Sequence, residues 1–149
     1  MKGIKGAPVV ILLVEDDPAH AEIVLRNFKD FNLANRIIHV EDGQAALDYL
    51  YHKGEFSDPQ KSPRPNIILL DLRLPKVDGL EVLKEVKSDK DLHNIPVVIL
   101  TTSAAEVDRI KAYDYHANSY LVKPVDFPRF VELMKAFGYY WLAWNESPF

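Results

Sequence analysis

The sequence predicts an α/β fold: a (βα)5, doubly wound, five-stranded parallel sheet with strand order 2-1-3-4-5. Three observations carry that expectation. First, Val9 to Val14, Asn66 to Asp71 and Pro96 to Thr101 hold apolar runs with no polar alternation, as parallel strands buried on both faces require. Second, each run is followed by a turn and then by apolar residues at helical spacing, and repeated β-α alternation means a parallel sheet with helices on both faces. Third, the run Ile67-Ile68-Leu69-Leu70 ends in a lone carboxylate, Asp71, at the carboxyl end of a strand, where open α/β sheets bind their ligands.

Taken in order, the first strand, Val9 to Val14, ends in Glu15-Asp16-Asp17-Pro18. Asp17 before Pro18 is a helix cap followed by proline at the first helical position. Ala21, Val24, Phe28 and Phe31 follow at steps of three and four, so a helix covers Pro18 to Phe31. Ile37 to Val40 is a short strand, Asp42-Gly43 a turn, and Ala45 to Tyr51 a helix. His52 to Pro65 holds three prolines and is a surface loop, longer than a compact α/β unit needs. The strand Asn66 to Asp71 turns at Pro75 into a helix from Gly79 to Ser88, marked by Leu80, Leu83 and Val86. The fourth strand, Pro96 to Thr101, is followed by a helix from Ala105 to about His116. Ser119 to Val122 is the fifth strand, ending in Lys123-Pro124, and Asp126 caps a last helix reaching roughly Trp144. The expected strand order is that of the flavodoxin-like folds.

Composition sets the outer limits. The chain has 149 residues, 48% of them hydrophobic, which suits one domain over residues 1–149, ending in an aromatic-rich helix and tail over about 127–149. The net charge of −4 and the lack of a basic cluster argue against a nucleic-acid surface. Cysteine is absent, which excludes disulfides, thiolate metal sites and a cysteine nucleophile. The longest apolar run is too short to span a bilayer and the N-terminus too short and polar for a signal peptide, so the expectation is a soluble, cytoplasmic protein.

Four strands end in chemistry: Glu15-Asp16, Asp71, Thr101 and Lys123. In a parallel sheet these ends lie along one edge. Three carboxylates beside one ammonium leave about two uncompensated negative charges. A hard divalent cation such as Mg²⁺ relieves that, and Mg²⁺ is usually completed by water and phosphate oxygens. A carboxylate can attack phosphorus and form an aspartyl phosphate, whose oxygens a cation, an ammonium and a hydroxyl stabilise. Asp71 is then the nucleophile, Asp16 holds the cation with help from Glu15, and Lys123 and Thr101 contact the phosphoryl oxygens. Each piece alone has a plainer account: acidic residues at a helix N-terminus, a turn-forming aspartate, a capping threonine, a solvated lysine. Four strands ending in matching chemistry by chance is the weaker explanation.

The segments Val14-Glu15-Asp16-Asp17, Leu69 to Gly79, Ile99-Leu100-Thr101-Thr102-Ser103 and Tyr120-Leu121-Val122-Lys123-Pro124 together resemble the signatures of two-component response regulator receiver domains, the CheY-like fold. The resemblance spans nearly the whole chain. It implies that Asp71 accepts a phosphoryl group from a phosphohistidine, and that Asp16, Asp71 and the backbone carbonyl of Arg73 bind Mg²⁺. It places Glu15 at the outer, water-mediated acidic position. Thr101 and Tyr120 match the pair that rearranges on phosphorylation. Lys123 matches the family lysine, and Lys123-Pro124 its cis peptide. The loop at 52–65, the stretch Val122 to Phe127 and the ending Gly138 to Pro148 resemble the small receivers that partner cyanobacterial and bacterial phytochromes, which implies a phytochrome-type histidine kinase as donor. Two features depart from the pattern. His116 stands where many receivers have glycine, so an unusual backbone angle is expected there. Thr102 and Arg73 are expected to line the mouth of the site and to alter dephosphorylation.

On the last helix, Phe127, Phe130, Val131, Met134, Gly138 and Trp141 form one apolar stripe, and Leu133, Phe137, Tyr140 and Trp144 a second. One helix on one sheet face does not easily bury both. The second stripe either folds back on its own domain or meets a partner; a homodimer, or docking to the kinase, is expected. With no DNA-binding or catalytic domain expected after the receiver, the expected output is protein contact, or a role as a phosphate sink or shuttle. Rival readings are a Mg²⁺-dependent aspartyl-phosphate phosphohydrolase, which wants an acid where Arg73 stands, and an interaction module independent of phosphate. A flavin-binding fold wants a phosphate cradle where Glu15-Asp16-Asp17 stands.

Overall fold

The computed structural model describes residues 9–31, 36–124, 126, 128, 129 and 132. Strands β1 (Val10–Val14), β2 (Arg36–Val40), β3 (Ile67–Leu70), β4 (Val97–Thr101) and β5 (Ser119–Val122) alternate with helices α1 (Pro18–Phe31), α2 (Gly43–Leu50), α3 (Gly79–Ser88) and α4 (Glu106–Asp114). The strands form one sheet in the order β2-β1-β3-β4-β5, and every pairing is parallel.

All residues of β1, β3 and β4 are buried, which is why their sequences show no alternation. The pleat divides them between two cores. Leu12, Val14, Ile68, Leu70, Val97, Ile99 and Tyr120 pack on one face with Tyr49, Val82, Leu83 and Ala112 from α2, α3 and α4. Ile11, Leu13, Ile67, Leu69, Val98, Leu100 and Leu121 pack on the other with Ala21, Val24 and Phe28 of α1. Each fully buried Leu or Ile contributes about 1.5–3 kcal/mol, so a one-residue register slip would exchange two whole apolar sets. The register pairs Val14 with Leu70, Leu70 with Ile99 and Thr101 with Val122. Glu15, Asp71 and Lys123 therefore each stand one step past a paired strand end, on one edge.

Helix ends follow local chemistry. Asp17 Oδ1 accepts from Ala19 N (2.9 Å) and His20 N (3.3 Å), capping α1 as its sequence implies. Asp42 Oδ1 accepts from Ala45 N at 2.7 Å, so α2 starts at Gly43 rather than Ala45: the expected turn is a cap and first helical residue. α4 ends earlier than the predicted His116. His116 takes φ +70°, its N–H donates to Tyr113 O (2.9 Å), and Ala117 N–H donates to Ala112 O (2.9 Å). This paired closure is a Schellman motif, and it realises the unusual backbone angle expected at His116.

The 52–65 loop is pinned rather than loose. It holds a short 3-10 turn at Gly54–Phe56, with the Phe56 ring edge-on to Tyr49 at 5.2 Å. Tyr49 Oη donates to Pro63 O (2.7 Å), and Arg36 Nη2 donates to Lys61 O (2.7 Å). Asp126 Oδ1 accepts from Arg129 N at 3.2 Å, as its predicted capping role requires, and Pro128, Arg129 and Glu132 are helical. The rest of that predicted helix and the tail, including Leu133, Phe137, Tyr140 and Trp144, lie outside the described residues.

Candidate functional site

Parallel strand ends bring the predicted residues together. Glu15 and Asp71 are buried, and Asp16 sits exposed at the rim. Each offers a carboxylate oxygen, and the three oxygens lie within 4.8 Å of one another. The β1 end is held by β2: Glu15 N donates to Val40 O (3.0 Å), and the His39 imidazole meets Glu15 O through Nε2 (2.8 Å). A carbonyl only accepts, so His39 carries its proton on Nε2. The Glu15 side chain takes a hydrogen bond from Asp17 N at 3.1 Å.

Asp71 is fixed from both sides. Its N–H donates to Val14 O (3.1 Å), and its Oδ1 accepts from Arg73 N (3.4 Å). Behind it, Gly79 N–H donates to Leu72 O at 2.9 Å. A Cβ on Gly79 would lie 2.2 Å from Asp71 O and 2.6 Å from Leu72 Cα, so only glycine lets α3 approach the backbone this closely.

Lys123 is not a solvated charge. Its side chain is 8% exposed. Its Nζ contacts Glu15 Oε1, Asp71 Oδ2 (3.2 Å) and His20 Nδ1 (3.1 Å). Its backbone N donates to Thr101 O (2.8 Å), and the Lys123-Pro124 bond is cis. Burial pushes the Glu15 carboxyl above its ordinary range and the Asp71 charge adds to this; the hydrogen bonds from Lys123 and Asp17 and the Lys123 charge oppose it.

Thr101 is fully buried, and its Oγ1 accepts from Ser103 N at 3.3 Å. Tyr120 is buried too. Its hydroxyl donates to Ser103 O (2.9 Å), and the Arg109 guanidinium lies 5.4 Å from its ring centre. Burial raises the Tyr120 phenol above its ordinary value. Thr101 and Tyr120 thus meet the same residue, Ser103, from two strands.

Arg73 and Thr102 are both exposed. Arg73 reaches across to α4: its Nη2 lies 2.5 Å from Asp108 Oδ2, which also accepts from Ser103 Oγ at 2.6 Å. Asp108 is buried, a role that its sequence position, an acid in the first turn of a helix, does not distinguish from dipole pairing. His20 and His39 were likewise missed. His20 is one of several polar residues on α1, and only the three-dimensional approach of Lys123 marks it. His39 follows two apolar strand residues, and nothing local shows that its ring will reach a loop carbonyl.

An oxygen-only trio that meets a buried ammonium, with a buried hydroxyl at the end of the neighbouring strand, suits a hard cation and a phosphoryl group. Similarity to known proteins points the same way. The regulator FilR2 of Methanothrix harundinacea, described as a probable methanogenesis regulatory protein, is 47% identical over 142 residues, covering 95% of this chain and 88% of its own. Response regulator Rcp1 of Synechocystis is 44% identical over 142 residues, covering 95% of each. The Mn²⁺-bound structure of Rcp1 matches with a TM-score of 0.75 at 43% identity, over 95% of this chain and 100% of that one. The phosphorylated cyanobacterial phytochrome response regulator RcpA matches with a TM-score of 0.77 at 39% identity, over 92% and 96%. The family model described as the response regulator receiver domain matches residues 11–135, and with that match and these relatives the chain belongs to the receiver-domain family of two-component response regulators.

Proposed function

We propose that this protein is a single-domain response regulator in which Asp71 accepts a phosphoryl group from the phosphohistidine of a sensor histidine kinase. The observation that carries this reading is the convergence of Asp71, Lys123, Thr101 and the Glu15-Asp16 pair on one sheet edge. A carboxylate oxygen of Asp71 attacks phosphorus, the P–N bond breaks, and its electron pair returns to the donor imidazole. In this reading Lys123 and the Thr101 hydroxyl meet the equatorial phosphoryl oxygens as these develop charge.

Mg²⁺ is the proposed cation, held by Asp16, Asp71 and the Arg73 backbone carbonyl with Glu15 in an outer position, and it supplies charge neutralisation for the transfer. The oxygen-only donor set fits it. Manganese in Rcp1 supports a divalent ion of this class. The protein turns over no external substrate in this reading; it carries phosphate and changes shape. Tyr120, now inward and tied to Ser103, is the proposed reporter. Movement of the Thr101 hydroxyl towards the phosphate opens space behind it and shifts the surface built by β4, β5 and α4. The likeness to the phytochrome response regulator RcpA supports a phytochrome-type histidine kinase as donor, and the cytoplasm is the proposed compartment of this protein. The second stripe of the last helix, Leu133, Phe137, Tyr140 and Trp144, is the proposed contact for a second copy or for the kinase.

The test is incubation with acetyl phosphate and Mg²⁺, read by intact mass. Wild type gains one phosphate, the gain needs the cation, and Asp71→Asn abolishes it. Failure of wild type with acetyl phosphate and with a phosphorylated histidine kinase alike would refute the reading and leave an interaction module independent of phosphate. A monomeric mass at every concentration, with and without phosphate, removes the dimer.

A further inference from the structure

We propose that His20 is a positioning residue for Lys123: its Nδ1 is the neutral acceptor that keeps the ammonium aimed at Asp71. The inference rests on the phosphoacceptor reading above. An ammonium has three N–H donors, and Lys123 has three acceptors: Glu15 Oε1, Asp71 Oδ2 at 3.2 Å and His20 Nδ1 at 3.1 Å. With the Lys123 side chain 8% exposed, water is a poor substitute for any of them. Two of the three acceptors are themselves engaged by the proposed chemistry, Asp71 as nucleophile and Glu15 within the carboxylate trio. His20 is the third and is engaged by neither. When the Asp71 carboxylate becomes an acyl phosphate, His20 still holds Lys123 in the same direction.

The surroundings select the state of the ring that can do this. The His20 Nε2 lies 3.7 Å from Asp17 Oδ2, so a proton on Nε2 faces a carboxylate. That leaves the Nδ1 lone pair for Lys123, and only an unprotonated Nδ1 tolerates an ammonium at that distance. Asp17 also caps α1, taking hydrogen bonds from Ala19 N and His20 N. One aspartate therefore fixes both the backbone of His20 and its tautomer. The result is an ordered line, Asp17 to His20 to Lys123 to Asp71, running from the first turn of α1 to the end of β3.

The test compares the rate of phosphate uptake from acetyl phosphate, at fixed Mg²⁺, in wild type, His20→Ala, His20→Leu and His20→Asn. Loss of one hydrogen bond to a charged, mostly buried donor lowers the rate roughly three- to thirty-fold in His20→Ala. His20→Leu, which fills space without an acceptor, is equally slow. His20→Asn, whose amide oxygen reaches the place of Nδ1, recovers most of the rate. Thermal unfolding of each variant confirms the fold. In metal-free wild type at pH 8, imidazole nitrogen shifts report a neutral His20 ring protonated on Nε2. Wild-type rates in His20→Ala, recovery in His20→Leu but not His20→Asn, or a ring protonated on Nδ1 would each overturn the proposal. A wild type that takes up no phosphate at all overturns the reading beneath it, and this one with it.

Discussion

Replacing Gly79 by alanine should damage stability and phosphate uptake together. The added Cβ falls 2.2 Å from Asp71 O, 2.6 Å from Leu72 Cα and 2.9 Å from Leu72 O. Ordinary contact begins near 3.4 Å, so the backbone must part by more than about 1 Å, and every obstructing atom is backbone with no rotamer to change. Overpacking of this kind costs up to about 3 kcal/mol. The better helix propensity of alanine returns at most about 1 kcal/mol, so a net loss of about 2 kcal/mol is expected. The displaced strand end carries Asp71, and the displaced turn continues through Leu72, whose carbonyl accepts from Gly79 N at 2.9 Å. Urea unfolding gives the stability change, with an unchanged m-value marking a native-state effect, and intact mass after acetyl phosphate gives the uptake. Gly54→Ala is the control. Gly54 has φ +60° but open space around it, so it carries only the left-handed penalty of about 1 kcal/mol and leaves uptake untouched. A Gly79→Ala protein with wild-type stability and uptake, or one less affected than Gly54→Ala, would refute the close-approach argument.

Three further outcomes follow from local geometry. His116→Gly should raise stability by about 1 kcal/mol, because φ +70° at the Schellman position of α4 is free for glycine and strained for histidine; urea midpoints check it. Lys87 Nζ donates to His93 O (3.1 Å), Ile95 O (2.8 Å) and Asn118 Oδ1 (3.0 Å); water can replace the two exposed bonds, so Lys87→Met, which keeps most of the volume, should cost about 1 kcal/mol in urea unfolding, mainly by leaving Ile95 O without its donor. The Tyr51 phenol, half-buried and donating to Glu85 Oε2 at 3.1 Å, is pushed up to about 12. Its folded value lies above the unfolded one, so the stability it contributes is complete below about pH 10 and is lost as pH rises through 12. Difference absorbance of wild type against Tyr51→Phe reads that titration, and a Tyr51 step near 10 in folded protein contradicts it.

What the sequence made legible was governed by periodicity and by strand ends. Buried parallel strands leave unbroken apolar runs, so β1, β3 and β4 could be read almost to the residue, and each run ends in its own functional group. Asp71 and Thr101 were legible for that reason, and Lys123 because it follows β5 on the same edge: topology alone carries the three together. The boundaries that shifted did so through side-chain hydrogen bonds. Asp42 advanced the start of α2 to Gly43, and the left-handed His116 closed α4 early. What stayed hidden depends on where long side chains reach. Asp108 in sequence is one more acid in a first helical turn, and only the approach of Arg73 from the β3–α3 turn, with the Ser103 hydroxyl, makes it a buried junction. His20 and His39 act on partners 103 and 24 residues away in the chain, a separation that no local pattern records.

If Asp71 is the phosphoacceptor proposed above, the charges around it set an order in which cation and phosphoryl donor bind. Glu15, Asp16 and Asp71 stand within 4.8 Å of one another, and Lys123 is the ammonium that meets both Glu15 and Asp71. A phosphoryl donor brings further negative charge towards a site already short of compensation. The upward displacement of the Glu15 carboxyl comes chiefly from its burial, and the Asp71 charge adds the smallest contribution. Lys123 has no spare donor to offer, since Glu15, Asp71 and His20 occupy all three. In the proposed reading, transfer to Asp71 therefore calls for a cation among the carboxylates first, releasing Lys123 from part of its load before the phosphoryl oxygens need it. In that order, raising the cation concentration speeds uptake until the site is filled, and excess phosphodonor alone does not substitute for it. An Asp16→Asn protein, with one carboxylate fewer at the rim, needs more cation to reach half-maximal uptake; one that reached it at the wild-type concentration would place the cation elsewhere.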